Sequence, residues 1–243
     1  MPTYRITIAY DGAGFSGYAR NPGVRTVQAE LESMLARVLR RRIDTAVAGR
    51  TDAGVHARAN VVSFTLEEPI DPDRLRRSVT KMLGPEIVAR EVAPAPDGFD
   101  ARRSALWRRY RYLVDDGEVP DPALRLRAWH VAPPLDLDEM NRASRSFIGE
   151  HDFASLCRAA EGKTTVRTVF EAGWSRGADG LVFDVTAAAF CHQMVRSMVA
   201  LCVEVGRGRL PAAQVPGILE AVDRNSARGA APPGGLTLWE VGY

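Results

Sequence analysis

Residues 48–57 of this chain read Ala48-Gly49-Arg50-Thr51-Asp52-Ala53-Gly54-Val55-His56-Ala57. One carboxylate, Asp52, lies between two glycines and two residues after Arg50. Because glycine tolerates backbone conformations closed to other residues, the stretch predicts a tight loop that another molecule can approach closely. A guanidinium at short range favours the ionised form of a carboxylate. Asp52 is therefore a candidate nucleophile or general base, and the alternative is a surface turn with a local ion pair.

Eight further motifs accompany this loop along the chain. In order they are Tyr10-Asp11-Gly12-Ala13-Gly14-Phe15-Ser16-Gly17, Thr26-Val27-Gln28 with Leu31-Glu32, Phe99-Asp100-Ala101-Arg102, Tyr110-Arg111-Tyr112, Gly149-Glu150-His151-Asp152-Phe153, Met194-Val195-Arg196, Gly206-Arg207-Gly208 and Ala231-Pro232-Pro233-Gly234-Gly235-Leu236. Together with the loop, they resemble the tRNA pseudouridine synthase A family, in the same order and along nearly the whole chain. One short motif is a weak signal, but a full set in family order is a specific one.

The resemblance implies the pseudouridine synthase fold, a mixed α+β architecture of two α/β halves. Their mainly antiparallel sheets join, and the substrate cleft lies between the halves. A chain of 243 residues is long enough for both halves to have a core. Residues 115–134 are rich in proline and charge, so we place the boundary there. Residues 1–115 would carry the Asp52 loop, and residues 116–243 would complete the cleft.

Hydrophobic periodicity independently predicts a mixture of strands and helices. Alternation of apolar and polar residues predicts strands at 4–10, 62–66, 107–114, 166–174, 181–186 and 236–241. Helical spacing and capping residues predict helices at 27–38, 71–82, 136–147, 190–205 and 212–222. In the strand at 107–114, one face would carry Arg108, Tyr110, Tyr112 and Val114.

Composition limits the compartment and the use of cysteine. No apolar run approaches the length of a membrane span, and the N-terminus lacks a signal-peptide pattern, so we expect a cytoplasmic protein without membrane contact. The three cysteines, Cys157, Cys191 and Cys202, are scattered. They suggest neither a disulfide framework nor a metal site, and we interpret them as buried thiols.

The positive charge is almost entirely arginine, although the formal net charge is only +2. The stretch 101–114 contains no acid and interleaves its arginines with aromatic residues: Arg102, Arg103, Trp107, Arg108, Arg109, Tyr110, Arg111 and Tyr112. Arginine beside aromatic rings is typical of surfaces that bind phosphates and stack on exposed bases. This predicts an RNA-binding surface, and the alternative is an arginine bias of the genome.

The family resemblance implies the reaction and the partners. The expected activity is isomerisation of uridine to pseudouridine on the 3′ side of the tRNA anticodon stem-loop, at tRNA positions 38–40. No atoms enter or leave, so no cofactor and no metal are required. The target base must leave its stack before an enzyme can reach it. Asp52 matches the family's catalytic aspartate, and the sequence leaves open whether it attacks C1′ or the uracil ring. A homodimer that binds one tRNA across both subunits is also implied.

Five other residues match substrate-binding positions of the family. Tyr110 corresponds to the tyrosine that packs on the target uracil, and Arg196 to the arginine that pairs with the catalytic carboxylate. Leu236 corresponds to an apolar residue of the pocket wall. We assign Arg50 and Arg58 to phosphate contact or to support of the flipped base. His56 is interpreted as a support of the loop.

The chain departs from the family pattern at a few positions, and other functions remain open. Tyr18, Asp100 and Gln193 lie in stretches that differ from the commoner family residues. These differences leave the expected chemistry intact and bear on the choice of substrate. The alternatives are a non-catalytic RNA-binding protein of the same fold, a hydrolase with Asp52 as base, and a pseudouridine synthase for a different RNA.

Overall fold

The computed structural model describes residues 1–132, 135–158, 162, 164–227 and 229–243. Within these ranges the chain forms ten β-strands and five α-helices, with short 3₁₀ turns between them. Most strand pairs are antiparallel, which confirms the mixed α+β class. None of the described helices is long and apolar enough to cross a membrane.

Close contacts divide the chain into two compact units. The first unit contains Met1–Arg108 and Thr237–Tyr243, and the second contains Arg109–Leu236. The last residues of the chain therefore belong with the N-terminal part. Placement of the boundary between functional halves at residue 115 stays a prediction, and residues 133 and 134 of the predicted boundary segment lie outside the described residues.

The first unit is a sheet with two helices. Its elements are β1 (Thr3–Tyr10), α1 (Val27–Leu39), β2 (Ala46–Val47), β3 (His56–Thr65), α2 (Pro72–Leu83) and β4 (Ile87–Ala95). The start of β5 (Trp107–Asp115) and most of β10 (Leu236–Gly242) complete it. The strand order is β4-β1-β3-β10, and β2 pairs with β3. Strand β10 runs parallel to β3, with Thr237 opposite His56.

Local sequence explains why these elements form. Alternate residues of β1, from Tyr4 to Tyr10, are buried, as the apolar alternation predicts. Helix α1 begins after Thr26, whose hydroxyl accepts a hydrogen bond from the Ala29 N–H. Helix α2 begins after Asp71, which caps the Arg74 N–H, and has proline in its first turn. The predicted start of this helix is confirmed.

The second unit contains the rest of β5 and the remaining elements. These are β6 (Trp129–His130), α3 (Leu137–Arg145), β7 (Gly149–Asp152), β8 (Val166–Gly177), β9 (Gly180–Ala187), α4 (Met194–Gly206) and α5 (Val215–Glu220). The strand order is β5-β9-β8-β7, with β6 beside β5. Helix α4 is buried along nearly its whole length and packs against α3. A Cβ atom at Gly206 would lie 2.7 Å from the Met140 sulfur, so glycine permits this close packing.

Four strands were missing from the sequence prediction, namely the two-residue strands β2 and β6 and the longer strands β4 and β7, and the helix predicted at 212–222 is shorter than expected. Strands β4 and β7 lie at the ends of their strand orders, and their burial does not alternate regularly. Edge strands of this kind give little periodic signal. The stretch predicted as a helix at 212–222 divides into a 3₁₀ turn and the short helix α5, because Pro216 cannot donate a backbone hydrogen bond inside a helix.

Candidate active site

Asp52 lies half-buried in the loop that joins β2 to β3. Its carbonyl accepts a hydrogen bond from the Val55 N–H at 3.1 Å, so residues 52–55 close a β-turn. Gly54, the third residue of this turn, has a φ of 79°, which a type II turn requires at that position. The predicted tight loop is confirmed, and glycine is needed at residue 54 to form it.

The N-terminal glycine-rich motif packs directly beneath this loop. The Thr51 carbonyl accepts a hydrogen bond from the Tyr18 N–H at 3.0 Å, and the Gly54 N–H donates to the Phe15 carbonyl at 3.3 Å. A Cβ atom at Gly12 would lie only 2.0 Å from the Val55 carbonyl oxygen. Glycine at residue 12 is therefore required by close contact of two backbones, which the sequence alone did not reveal.

His56 supports the loop from below. Its side chain is buried, and Nδ1 lies 3.0 Å from the Gly12 nitrogen and 3.1 Å from the Asp11 carboxylate. The imidazole therefore joins the end of the loop to the N-terminal motif. This position agrees with the interpretation of His56 as a support of the loop.

A buried hydrogen-bond network holds the first half of the loop. The Tyr10 hydroxyl lies 2.8 Å from the Thr51 hydroxyl and 3.2 Å from the Asn60 amide nitrogen. The same Asn60 amide binds both the carbonyl and the N–H of Gly49, at 2.8 and 3.3 Å. Burial raises the pKa of Tyr10 to about 12, so its hydroxyl stays protonated near neutral pH. Neither Tyr10 nor Asn60 was predicted to belong to the site.

The motif at residues 26–32 fixes the chain that enters the loop. Glu32 is buried in α1, and its carboxylate accepts hydrogen bonds from the Thr45 N–H at 3.1 Å and the Thr45 hydroxyl at 2.8 Å. Gln28 and Arg20 also bind this carboxylate. A buried carboxylate is tolerated only when such partners compensate its desolvation. Glu32 therefore holds the residue that precedes β2.

The two arginines assigned to the loop side of the site are exposed. Arg50 lies in the loop itself, two residues before Asp52. Arg58 lies in β3, where its guanidinium stacks over the Trp239 ring at 4.5 Å from the ring centre. The first unit thus carries Arg50, Asp52 and Arg58 on one continuous stretch of chain.

The second unit carries the other three predicted residues. Tyr110 is buried on β5, in edge-to-face contact with the Phe190 ring at 5.0 Å between ring centres. Arg196 is half-buried on α4, and its Nε donates to the Ala231 carbonyl at 2.6 Å. Leu236 is buried at the start of β10. The prediction that Arg108, Tyr110, Tyr112 and Val114 share one face of β5 is confirmed, and the structure shows that this face is buried.

Tyr112 holds the short segment that precedes Leu236. Its hydroxyl donates to the Pro232 carbonyl at 2.8 Å, and a Cβ atom at Gly235 would lie 2.6 Å from its ring. Burial raises the pKa of Tyr112, and the positive charge of Arg196 opposes this shift. The Ala231-Pro232-Pro233-Gly234-Gly235-Leu236 motif is therefore anchored at both ends by residues of the second unit.

The predicted arginine surface needs correction. Arg108 is only 9% exposed, and its guanidinium donates to the carbonyls of Ala48, Ala105 and Arg102. Arg108 is therefore a structural residue that binds the start of the loop. Arg109 and Arg111 both pair with Asp184, an acid distant in sequence. Arg102 and Arg103 are the exposed cations of this stretch.

The three departures from the family pattern have separate structural roles. Tyr18 is fully buried, so it belongs to the core beneath the loop and does not face a substrate. Asp100 accepts hydrogen bonds from the N–H groups of Arg102 and Arg103, both at 2.8 Å. Gln193 precedes α4 with a φ of 66°, and its side chain binds Arg224 at 2.7 Å.

Comparison with known proteins shows the family of the chain. The family model described as tRNA pseudouridine synthase matches residues 6–102 and 143–243. A protein of Cutibacterium acnes named tRNA pseudouridine synthase A is 46% identical, over 100% of this chain and 89% of its own length. The proteins of that name from Leifsonia xyli and Bacillus subtilis are 44% and 40% identical, over 99% and 98% of this chain and 91% and 98% of their own lengths.

These matches identify a pseudouridine synthase by its class. The chain belongs to the tRNA pseudouridine synthase family, as the order of its motifs indicates.

The close contact at Gly12 generates a first prediction. Gly12→Ala places a methyl group against the Val55 carbonyl, and the loop must shift. We expect the free energy of unfolding to fall by about 1–3 kcal/mol, as for other overpacked sites. Gly217→Ala is the matched control, because nothing lies within 4 Å of its added Cβ. Urea denaturation of both variants measures the difference, and equal stabilities would contradict the close contact.

The burial of Arg108 generates a second prediction. Arg108→Gln removes charged donors from three carbonyls, and we expect a loss of at least about 2 kcal/mol of unfolding free energy. Arg103→Gln, at an exposed position nearby, should change stability by less than about 0.5 kcal/mol. Thermal or urea unfolding checks both values. A stable Arg108→Gln protein would show that the three carbonyls do not depend on this side chain.

Proposed function

We propose that this protein isomerises uridine to pseudouridine in tRNA, with Asp52 as the nucleophile. The observation that carries the proposal is the placement of Asp52. A half-buried carboxylate is held on a turn whose backbone is fixed by the N-terminal motif, and exposed Arg50 stands two residues away. A fixed carboxylate beside a cation is suited to attack on an electron-poor carbon of a bound nucleotide.

The reaction needs only groups that this chain contains. The bond between ribose C1′ and uracil N1 breaks, and a bond between C1′ and C5 forms after the base has turned. N1 gains a proton and C5 loses one, so atoms and electrons balance without a co-reactant. Asp52 would form a temporary bond either to C1′ or to the uracil ring, and both routes are consistent with its position.

The remaining site residues would bind the extruded nucleotide. Tyr110 would pack on the uracil, Leu236 would wall the pocket, and Arg196 would pair with the Asp52 carboxylate. Arg50 and Arg58 would contact phosphates or support the displaced base. Each assignment rests on the match of motifs.

The finer substrate and assembly are also part of the proposal. The target would be uridines on the 3′ side of the tRNA anticodon stem-loop, in the cytoplasm, and the enzyme would act as a homodimer. A pseudouridine synthase for another RNA remains the alternative. Base-by-base mapping of pseudouridine in bulk RNA, after incubation with the purified protein, decides between the two. Modification confined to RNAs other than tRNA would refute the assignment of substrate.

Removal of the carboxylate is the direct test of mechanism. Asp52→Asn should reduce the single-turnover rate of pseudouridine formation by at least about 10⁴-fold, as expected for loss of a nucleophile. The dissociation constant for tRNA should change little, because phosphate contacts dominate affinity. Asp44→Asn is the control, since it removes the same charge from an exposed side chain that pairs with Arg42. Normal turnover by Asp52→Asn would exclude the proposed nucleophile.

The exposed arginines supply a test of RNA binding. The double variant Arg102→Gln/Arg103→Gln should weaken tRNA binding and lower the slope of log K against log salt by about 1–2. Lys81→Gln/Arg145→Gln removes the same charge at other exposed positions and should leave the slope closer to the wild-type value. Filter binding at several salt concentrations provides the measurement. Identical slopes for the two double variants would mean that residues 102 and 103 do not contact phosphates.

A further inference from the structure

We propose that Tyr10 and Asn60 are positioning residues for Asp52, acting through Thr51 and Gly49. The inference rests on the proposed function, in which Asp52 is the nucleophile. It assigns a role in the reaction to two buried side chains that touch no substrate.

The Asn60 amide has a defined direction for each of its hydrogen bonds. The Asn60 amide nitrogen donates to the Gly49 carbonyl, while the Asn60 carbonyl oxygen accepts from the Gly49 N–H. This pair of bonds leaves the second amide hydrogen of Asn60 directed at the Tyr10 oxygen, 3.2 Å away. Tyr10 accepts that bond, so its own hydrogen is available to the Thr51 hydroxyl at 2.8 Å. Both amide hydrogens of Asn60 thus have an acceptor within the network.

The network holds the loop at two points that bracket Arg50. Asn60 holds Gly49, and Tyr10 holds Thr51, the residue bonded to Asp52. All three side chains of the network are buried, with exposed fractions of 4% for Tyr10, 0% for Asn60 and 7% for Thr51. In such surroundings hydrogen bonds are strong and reinforce one another. The side chain of Thr51 is therefore fixed, and with it the peptide that leads into Asp52.

A displacement of the carboxylate would affect the reaction more than the affinity. Misplacement of a reacting group by about 1 Å costs about 100-fold in rate. Binding of tRNA depends mainly on phosphate contacts, and the network makes none because it is buried. A positioning role therefore predicts a slower chemical step at unchanged affinity.

The chain offers a matched control on the same strand. Tyr4 lies on the same buried face of β1 as Tyr10. Like the Tyr10 hydroxyl, the Tyr4 hydroxyl accepts a hydrogen bond. The donor to Tyr4 is the Ile70 N–H at 3.0 Å, which lies outside the Asp52 loop. Tyr4→Phe and Tyr10→Phe remove the same atom from similar surroundings, so a purely structural effect should be similar in both.

The experiment measures single-turnover pseudouridine formation and tRNA affinity for both tyrosine variants. We expect Tyr10→Phe to slow the reaction by about 10- to 100-fold with a dissociation constant within about 2-fold of wild type. Tyr4→Phe should retain the wild-type rate. Thr51→Val should also slow the reaction, and the double variant should be no slower than Tyr10→Phe, since Tyr10→Phe already removes the bond that Thr51→Val removes. Thr51→Ser keeps the hydroxyl and should restore most of the rate.

Amide hydrogen exchange of the free protein separates this inference from the proposed function. Tyr10→Phe should increase exchange at the loop amides, including the Gly49 N–H, and Tyr4→Phe should not. An inactive wild-type protein would refute the proposed function without changing this readout. Equal rates for wild type and Tyr10→Phe, or equal exchange in the two tyrosine variants, would overturn the positioning role.

Discussion

The site depends on close approach between two stretches of backbone, the N-terminal motif and the Asp52 loop. At Gly12 no Cβ atom fits beneath the Val55 carbonyl, and at Gly17, with a φ of 98°, a Cβ would lie 3.1 Å from the Thr51 carbonyl. Backbone atoms have little freedom to move once such contacts form, so the position of Asp52 is set by the main chain. A carboxylate held in this way needs little reorganisation when substrate arrives.

Motifs far apart in sequence meet at this loop for different physical reasons. The N-terminal motif supplies space through its glycines and hydrogen bonds through its backbone. The motif in α1 supplies Glu32, a buried acid that binds the residue entering β2. Asn60, in the strand that leaves the loop, binds back to its beginning at Gly49. The loop is therefore fixed before, beneath and after Asp52.

Local patterns in the sequence were sufficient for much of the fold. The caps at Asp71 and Asp136 and the alternation in β1, β8 and β9 predicted these elements, because both signals depend only on near neighbours. The edge strands β4 and β7 were not predicted, because few of their residues are buried and their sequences show little alternation of apolar and polar residues. The motif order indicated Asp52. The hydrogen bonds of Tyr10 with Thr51 and with Asn60 join residues 41 and 50 positions apart in sequence, which no local pattern reveals.

The arginines show why charge in a sequence does not by itself define a binding surface. The stretch 101–114 contains no acid, yet the structure supplies Asp184 from another strand for Arg109 and Arg111. Arg108 is buried among carbonyls, where its charge is compensated by hydrogen bonds. A cation already engaged in this way would lose those bonds on turning to a phosphate. Arg102 and Arg103, which are exposed, incur no such loss, so folding leaves two of the five cations in this stretch exposed.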